Sequence, residues 1–179
     1  MDENLSENIS ETLSENLSKL RNIVLFKDFK DNIEVLKKME GLFSEKISKK
    51  GDVIIKEGDE GDELYIIKTG SVLILKNTLQ NEAYTVVKLS AEQHVFFGEI
   101  GLLLNDKRSA TVTAEVDSTF LMTNRKKFLE FGEKESYIAL LITRQIAQIL
   151  SQRLLKSNQD VVTLFSALVD EIEGGTVME

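Results

Sequence analysis

The residues best suited to chemistry lie close together, between Phe97 and Ala110. Gly98 and Glu99 follow the aromatic residue, and Arg108 comes later in the same segment. A guanidinium fork binds two phosphate oxygens at once, whereas a carboxylate only accepts hydrogen bonds and therefore suits a sugar hydroxyl. The two charges predict a site for a ligand that carries both a phosphate and a sugar.

The residues between the two charges predict backbone donors for the same ligand. Gly98 lacks a Cβ atom that would block close approach, and a short helix is predicted over Ile100 to Leu104. The N-terminus of a helix presents N–H groups without intrahelical partners and a partial positive charge, which together stabilise an anion. Ser109 and Ala110 add a hydroxyl and a backbone N–H beside the arginine.

This segment resembles the phosphate-binding cassette of the cyclic-nucleotide-binding domain family, which includes protein kinase regulatory subunits, cyclic-nucleotide-gated channels and the bacterial catabolite activator. The resemblance implies that Glu99 binds the ribose 2′-hydroxyl and Arg108 the cyclic phosphate. Many members have proline immediately before the arginine, whereas this chain has Lys107, a second cation beside the anion site. The predicted ligand-binding residues are Phe97, Gly98, Glu99, Ile100, Arg108, Ser109 and Ala110.

The resemblance does not choose between cAMP and cGMP, because related domains of different selectivity carry a hydroxyl at the position of Ser109. Contacts to the base or to a lid over it are expected from Val87 and from the C-terminal helix. An ungapped register brings Arg153 to the capping position, and a short insertion brings Ser157 or Asn158 instead.

Short apolar runs between glycine and aspartate turns predict an antiparallel sandwich or barrel. The family resemblance implies an α+β fold, in which an antiparallel, jelly-roll-like β-roll of about eight strands is flanked by an N-terminal helix and C-terminal helices. The predicted strands are 53–55, 64–67, 72–75, 85–89, 94–97, 111–116 and 119–123. Helices are predicted over 23–39, over 125–131, and from about residue 135 to the Gly174–Gly175 pair.

Three regions are predicted along the chain. Residues 1–22 form an acidic extension with an aliphatic residue every three or four positions, typical either of an amphipathic helix or of a tail that folds against a partner. Residues 23–156 form the ligand-binding domain, and residues 157–179 a C-terminal helical extension. Part of the apolar face of the long helix is predicted to pack on its own β-roll. The later turns are predicted to contact a second copy of the chain or another protein partner.

Composition limits the alternatives. The chain has 179 residues, of which 42% are hydrophobic, and none of its apolar runs reaches the length of a membrane span. The absence of cysteine and the polar, acidic first twenty residues predict a cytoplasmic protein without disulfides. A net charge of −8 argues against nucleic-acid binding. The single histidine, His94, argues against a multi-histidine metal site, so neither a metal nor a cofactor is expected besides the ligand.

The sequence therefore favours a non-enzymatic sensor that binds cAMP or cGMP and signals by movement of its C-terminal helices. One alternative is a nucleotide-free β-roll that serves only as an interaction module. Another is the sensor part of a longer transcription regulator or other effector. A metal-dependent enzyme on a related barrel is a distant third, because the single histidine does not support it.

Overall fold

In the computed structural model, the residues that are described are 14–77, 83–104 and 106–174. The strands are β1 (Ser44–Ser48), β2 (Val53–Ile55), β3 (Glu63–Thr69), β4 (Ser71–Asn77), β5 (Ala83–Ser90), β6 (Phe96–Phe97), β7 (Thr111–Ala114) and β8 (Ser118–Asn124). They form two four-stranded antiparallel sheets, and the strand orders are β1-β8-β3-β6 and β2-β7-β4-β5. The predicted β-roll of about eight strands is confirmed.

The central strand β3 explains how the first sheet is held. Its run from Leu64 to Ile67 is buried on both faces, as expected of an apolar strand between two covered surfaces. Gly70, at φ +85°, makes the tight turn into β4, and a Cβ atom there would collide with Ser118. Pairing between β3 and β6 places Tyr65 opposite Phe97. Phe97, the first residue of the predicted cassette, is thereby anchored in the sheet.

Three aromatic rings fill the core beneath this pairing. Tyr65 and Phe97 stack with ring centroids 5.2 Å apart, and Phe120 meets both rings edge-on at 6.1 and 5.8 Å. Offset-stacked and edge-to-face arrangements are favourable for the aromatic quadrupole. All three side chains are at most 3% exposed, so the start of the cassette rests on a rigid support.

The helices before the roll differ from the prediction. Helix α1 (Glu15–Asn22) is capped by the Ser14 side chain, a 3₁₀ helix spans Val24–Phe29, and α2 (Ile33–Glu40) is capped by Asn32. The single helix predicted over 23–39 is wrong, because the Asn32 side chain accepts a hydrogen bond from Val35 N and begins a new helix there. The residues buried in this region are Leu17, Leu20, Ile23, Leu25, Phe26, Phe29, Leu36 and Met39.

Two predicted strands are shorter in the structure. The strand predicted over 94–97 starts only at Phe96, because His94 adopts φ +52° and closes the 3₁₀ turn Ala91–Gln93. The strand predicted over 111–116 ends at Ala114. Strand β1 was not predicted, and residues 1–13 of the acidic extension lie outside the described residues.

Two compact units are distinguished, one up to Leu141 and one from Ile142 onward. The first contains α3 (Glu99–Leu103), α4 (Arg125–Lys134) and the start of α5 (Ser136–Gly174). Most of α5 forms the second unit, in which Ile142, Gln145 and Ile146 are buried. Its later turns carry exposed apolar side chains: Leu154, Leu155, Val161, Val162, Leu164, Phe165, Leu168 and Ile172. The helix ends at Gly174, and Gly175 lies outside the described residues.

Candidate functional site

The predicted cassette residues surround one small cavity. The cavity has a volume of about 50 Å³ and is lined by Gly98, Glu99, Ile100, Gly101, Lys107, Arg108 and Ser109. Phe97 precedes this lining and is buried in the aromatic core, while Ala110 follows it, immediately before β7. Residues at both ends of the cassette are thus brought together around a space that suits a phosphate group.

Helix α3 forms one wall of the cavity. It begins at Glu99, one residue earlier than predicted, after Gly98 adopts the left-handed conformation at φ +81°. A side chain at position 98 would be strained, and its Cβ atom would lie 2.6 Å from the backbone oxygen of Glu63. The N–H groups of a first helical turn have no intrahelical acceptors, and here the residues of that turn line the cavity.

Arg108 is the buried cation of the site, with 7% of its surface exposed. Its backbone is fixed by two hydrogen bonds, from Arg108 N to Asp59 O at 2.8 Å and from Gly58 N to Arg108 O at 2.9 Å. Its Nη1 donates to the backbone oxygens of Glu63 at 2.9 Å and Gly98 at 3.3 Å. Its Nη2 lies 2.5 Å from Glu63 Oε2 in an ion pair. The guanidinium is therefore held in one orientation.

Comparison with known proteins identifies the family of this chain. The sequence model described as "Cyclic nucleotide-binding domain" matches residues 45–135. The chain belongs to the cyclic nucleotide-binding domain family. Domains of this family are regulatory ligand-binding modules, and the kinases among the relatives are enzymes by virtue of their separate catalytic domains.

Two relatives and one solved structure illustrate the similarity. The chain is 26% identical over 152 residues to the cAMP-dependent protein kinase type II regulatory subunit of Drosophila melanogaster, covering 85% of this chain and 38% of the fly protein. It is 30% identical over 124 residues to mouse cGMP-dependent protein kinase 2, covering 66% of this chain and 16% of the kinase. A cyclic nucleotide-binding domain from Methylobacillus flagellatus shares the fold, with a TM-score of 0.71 at 23% identity over 83% of this chain and 82% of that one.

Within this cyclic nucleotide-binding domain, Arg125 holds the far end of the cassette helix. It is the first residue of α4, and its guanidinium donates to the backbone oxygens of Gly101 at 2.6 Å and Leu102 at 3.1 Å, and to that of Leu104. Carbonyls at a helix C-terminus carry partial negative charge, which a cation stabilises. This contact was not predicted from the sequence, because Arg125 reaches Gly101 from 24 residues away and its neighbours in the chain do not mark that partner.

Glu63 is the second residue that sequence reasoning missed as part of the site. It follows a run of acids that flank turn glycines, begins β3 and pairs with Arg108. Burial raises the pKa of Tyr65 to about 12, and the Glu63 carboxylate makes a smaller contribution in the same direction.

A wider cavity of about 590 Å³ lies beside the small one. It is lined by Glu60, Gly61, Asp62, Asp106, Lys107 and Arg125, so Lys107 borders both cavities.

The residues predicted to contact the base are one on strand β5 and three on helix α5. Val87 is 40% exposed on the edge strand β5 and is not part of the lining of the small cavity. Arg153, Ser157 and Asn158 are exposed residues of α5. Their contacts to a base stay predictions.

Within residues 14–77, 83–104 and 106–174, histidine, aspartate and glutamate side chains do not gather in groups of three or more that could hold a metal ion. The helices described there are all too short or too polar to cross a membrane.

Proposed function

We propose that this domain is a non-enzymatic sensor of a cyclic nucleotide, either cAMP or cGMP. The observation that carries the proposal is the position of Arg108, a buried guanidinium at the same small cavity as the first turn of α3. Relatives named as cAMP-dependent and as cGMP-dependent both match the chain, so the base is left open.

The phosphate of the ligand would bind between Arg108 and the first turn of α3. Guanidinium and helix N-terminus both favour an anion, and a charge-assisted hydrogen bond contributes about 1.5–3 kcal/mol. Lys107, which lines the same cavity, adds a second positive charge at its rim. The side chain of Ser109 and the backbone N–H of Ala110 would complete the phosphate contacts.

The ribose would bind to Glu99. This side chain is only 4% exposed, and it lines the cavity beside Gly98 and Ile100. A carboxylate accepts hydrogen bonds, so the 2′-hydroxyl is the group of a nucleotide that it would recognise. A 2′-deoxy ligand should therefore bind more weakly to the wild type, and Glu99→Ala, which removes the acceptor, should remove most of that difference.

The signal would leave through the C-terminal helices. Arg125 supports this route, because it joins the end of the cassette helix to the start of α4. A ligand shifts such an equilibrium only by its differential affinity for the two states, typically about 1–3 kcal/mol. Amide hydrogen exchange in α4 and α5 with and without ligand measures the effect, and identical exchange would contradict the proposed movement.

A thermal-unfolding titration with cAMP, cGMP and 5′-AMP tests the binding proposal. A ligand present at about 100 times its dissociation constant should stabilise the domain by about 2.7 kcal/mol, which raises the Tm by a few degrees. Arg108→Lys keeps the charge but loses the fork, so the shift should shrink strongly. The matched control is Lys107→Ala, which removes an exposed cation at the same cavity and should reduce the shift only slightly.

The outcomes separate the sensor from its alternatives. A shift with one cyclic nucleotide that disappears in Arg108→Lys would support the sensor and identify the base. Absence of a shift at millimolar concentrations of all three ligands would contradict it and favour the nucleotide-free interaction module.

We also propose that the exposed later turns of α5 form a homodimer. Val161, Phe165, Leu168 and Ile172 follow one another at spacings of four, three and four, and Leu154 lies one heptad before Val161, as in a two-stranded coiled-coil seam. All five side chains are more than half exposed. Analytical ultracentrifugation tests this proposal. Phe165→Asp should dissociate the dimer, whereas Gln159→Asp introduces the same charge away from the seam and should leave it intact. A monomeric wild type would contradict the proposal and leave a different protein as the partner.

A further inference from the structure

The Glu63 carboxylate forms an ion pair with Arg108, the cation that is expected to bind the phosphate of the ligand. Its Oε2 atom lies 2.5 Å from Arg108 Nη2, while its backbone oxygen accepts a hydrogen bond from Nη1 at 2.9 Å. The Arg108 side chain is 6% exposed and that of Glu63 is 35% exposed, so the pair lies at the edge of the interior. The formal charges of the pair cancel.

The surrounding backbone keeps this carboxylate beside the site. Glu63 pairs with Asn124 of β8, which fixes the start of β3. Gly61 and Gly98 lie so close to Arg108 that their missing Cβ atoms would fall 2.6 and 3.2 Å from its guanidinium nitrogens. The arginine therefore has little room to swing away from Glu63 when a phosphate arrives, and the incoming anion meets both charges.

The effect of Glu63 on a ligand depends on the charge of its phosphate. A cyclic phosphodiester carries one negative charge, whereas a terminal phosphate carries about 1.5–2 at neutral pH. Repulsion from a fixed carboxylate grows in proportion to that charge. We propose that Glu63 is a specificity-determining residue that favours singly charged cyclic phosphodiesters over phosphomonoesters such as 5′-nucleotides. This inference rests on the proposed function of the site.

Isothermal titration calorimetry of the wild type and Glu63→Gln tests the inference at one pH and ionic strength. The probes are the cyclic nucleotide that binds more tightly and the 5′-monophosphate of the same nucleoside. Glutamine keeps the size of the side chain and an oxygen acceptor for Arg108 but removes the charge. We expect about tenfold tighter binding of the cyclic nucleotide, because water screens part of the Coulomb repulsion at this half-exposed position.

The gain for the 5′-monophosphate should be larger, about 30- to 100-fold, because the logarithm of the gain scales with phosphate charge. The preference for the cyclic ligand should consequently narrow several-fold. Glu60→Gln is the matched control, since it removes the same charge from an exposed residue of the same turn and should change either affinity less than twofold. Glu63→Thr, which also suits a strand, should act in the same direction as Glu63→Gln and guards against misfolding of one variant.

Three kinds of result would contradict either the role of Glu63 or the proposed function, and each can be told from the others. Unchanged or weaker binding of the cyclic nucleotide to Glu63→Gln would show that the carboxylate positions Arg108 rather than opposing the ligand. Equal gains for both probes, or failure of the 5′-monophosphate to bind Glu63→Gln at millimolar concentration, would remove the role in selectivity. Absence of cyclic nucleotide binding to the wild type and both variants would overturn the proposed function itself.

Discussion

A Cβ atom on Gly61 would lie 2.6 Å from Arg108 Nε and 2.9 Å from its Nη2. On another side of the guanidinium, a Cβ atom on Gly101 would lie 2.5 Å from Nη1 and 2.6 Å from Gly61 O. Real Cβ atoms do not approach this closely, so side chains at either position would force the arginine or the backbone to move. The orientation of Arg108 thus depends on glycine at both positions 61 and 101, where a side chain would occupy the space of the guanidinium.

Gly61→Ala should therefore displace Arg108 and weaken binding of the cyclic nucleotide at least tenfold. Overpacking of this kind also costs about 1–3 kcal/mol of unfolding free energy. Calorimetry and urea unfolding measure the two effects. Gly41→Ala is the control, because it has φ −62° and its Cβ would lie 3.7 Å from Lys38 O, an ordinary contact. Wild-type affinity in Gly61→Ala would show that the arginine adjusts freely.

Arg125→Met should loosen the C-terminal end of the cassette helix, because it leaves the carbonyl groups of Gly101 and Leu102 without this donor. We expect faster amide exchange in residues 102–104 and an affinity for the cyclic nucleotide that falls several-fold. Lys126→Met is the control: its side chain is 82% exposed and lies 4.0 Å from Glu130 in a surface pair. Equal exchange in both variants would contradict a role for Arg125 in holding the cassette.

The cassette was predictable because its information is local. Gly98, Glu99 and Arg108 lie within one short segment, and the left-handed turn at Gly98 requires the residue type that the sequence supplies. The apolar runs of β2, β3 and β4 were predicted for the same reason, since each is continuous and bounded by turn residues. The local sequence pattern was sufficient to predict a strand or helix wherever one short segment contained both the element and the residues that end it.

The features that were missed depend on distant parts of the chain. Strand β1 reads SEKIS, with little β-propensity, and is a strand because it pairs along β8. Glu63 reaches Arg108 from 45 residues away, and Arg125 reaches Gly101 from 24. Neither charge carries a local sign of its partner, so only the register of β3 and the start of α4 bring them to the cassette.

Leu20→Ala tests whether the predicted division at residue 22 separates an appendage from the domain. Leu20 is fully buried, and Lys19 beside it donates from Nζ to Ala91 O at 2.6 Å. Truncation of a buried leucine costs about 2–5 kcal/mol, so the unfolding free energy of the whole domain should fall by that amount. Leu129→Ala, at a leucine that is 60% exposed, should change it by less than about 1 kcal/mol. An unchanged midpoint for Leu20→Ala would mean that residues before Ile23 unfold separately.

Tyr65 predicts a loss of stability at alkaline pH. Burial, with a smaller contribution from the Glu63 carboxylate, raises its pKa from 10.0 to about 12. The folded state therefore keeps the phenol protonated between pH 10 and 12, while the unfolded state releases the proton. The contribution of Tyr65 to the free energy of unfolding is therefore complete below pH 10, and the free energy of unfolding should fall by about 2–3 kcal/mol as the pH rises to 12.

Tyr65→Phe removes this ionisation but keeps the ring that stacks on Phe97. Its unfolding free energy should consequently decline less than that of the wild type between pH 10 and 12, by about 2–3 kcal/mol. Urea unfolding at each pH measures the difference. Tyr84→Phe is the control, because that phenol is 51% exposed in the folded state. If the unfolding free energies of the wild type and Tyr65→Phe fell in parallel between pH 10 and 12, the raised pKa would be contradicted, because Tyr65 would then ionise equally in the folded and unfolded states.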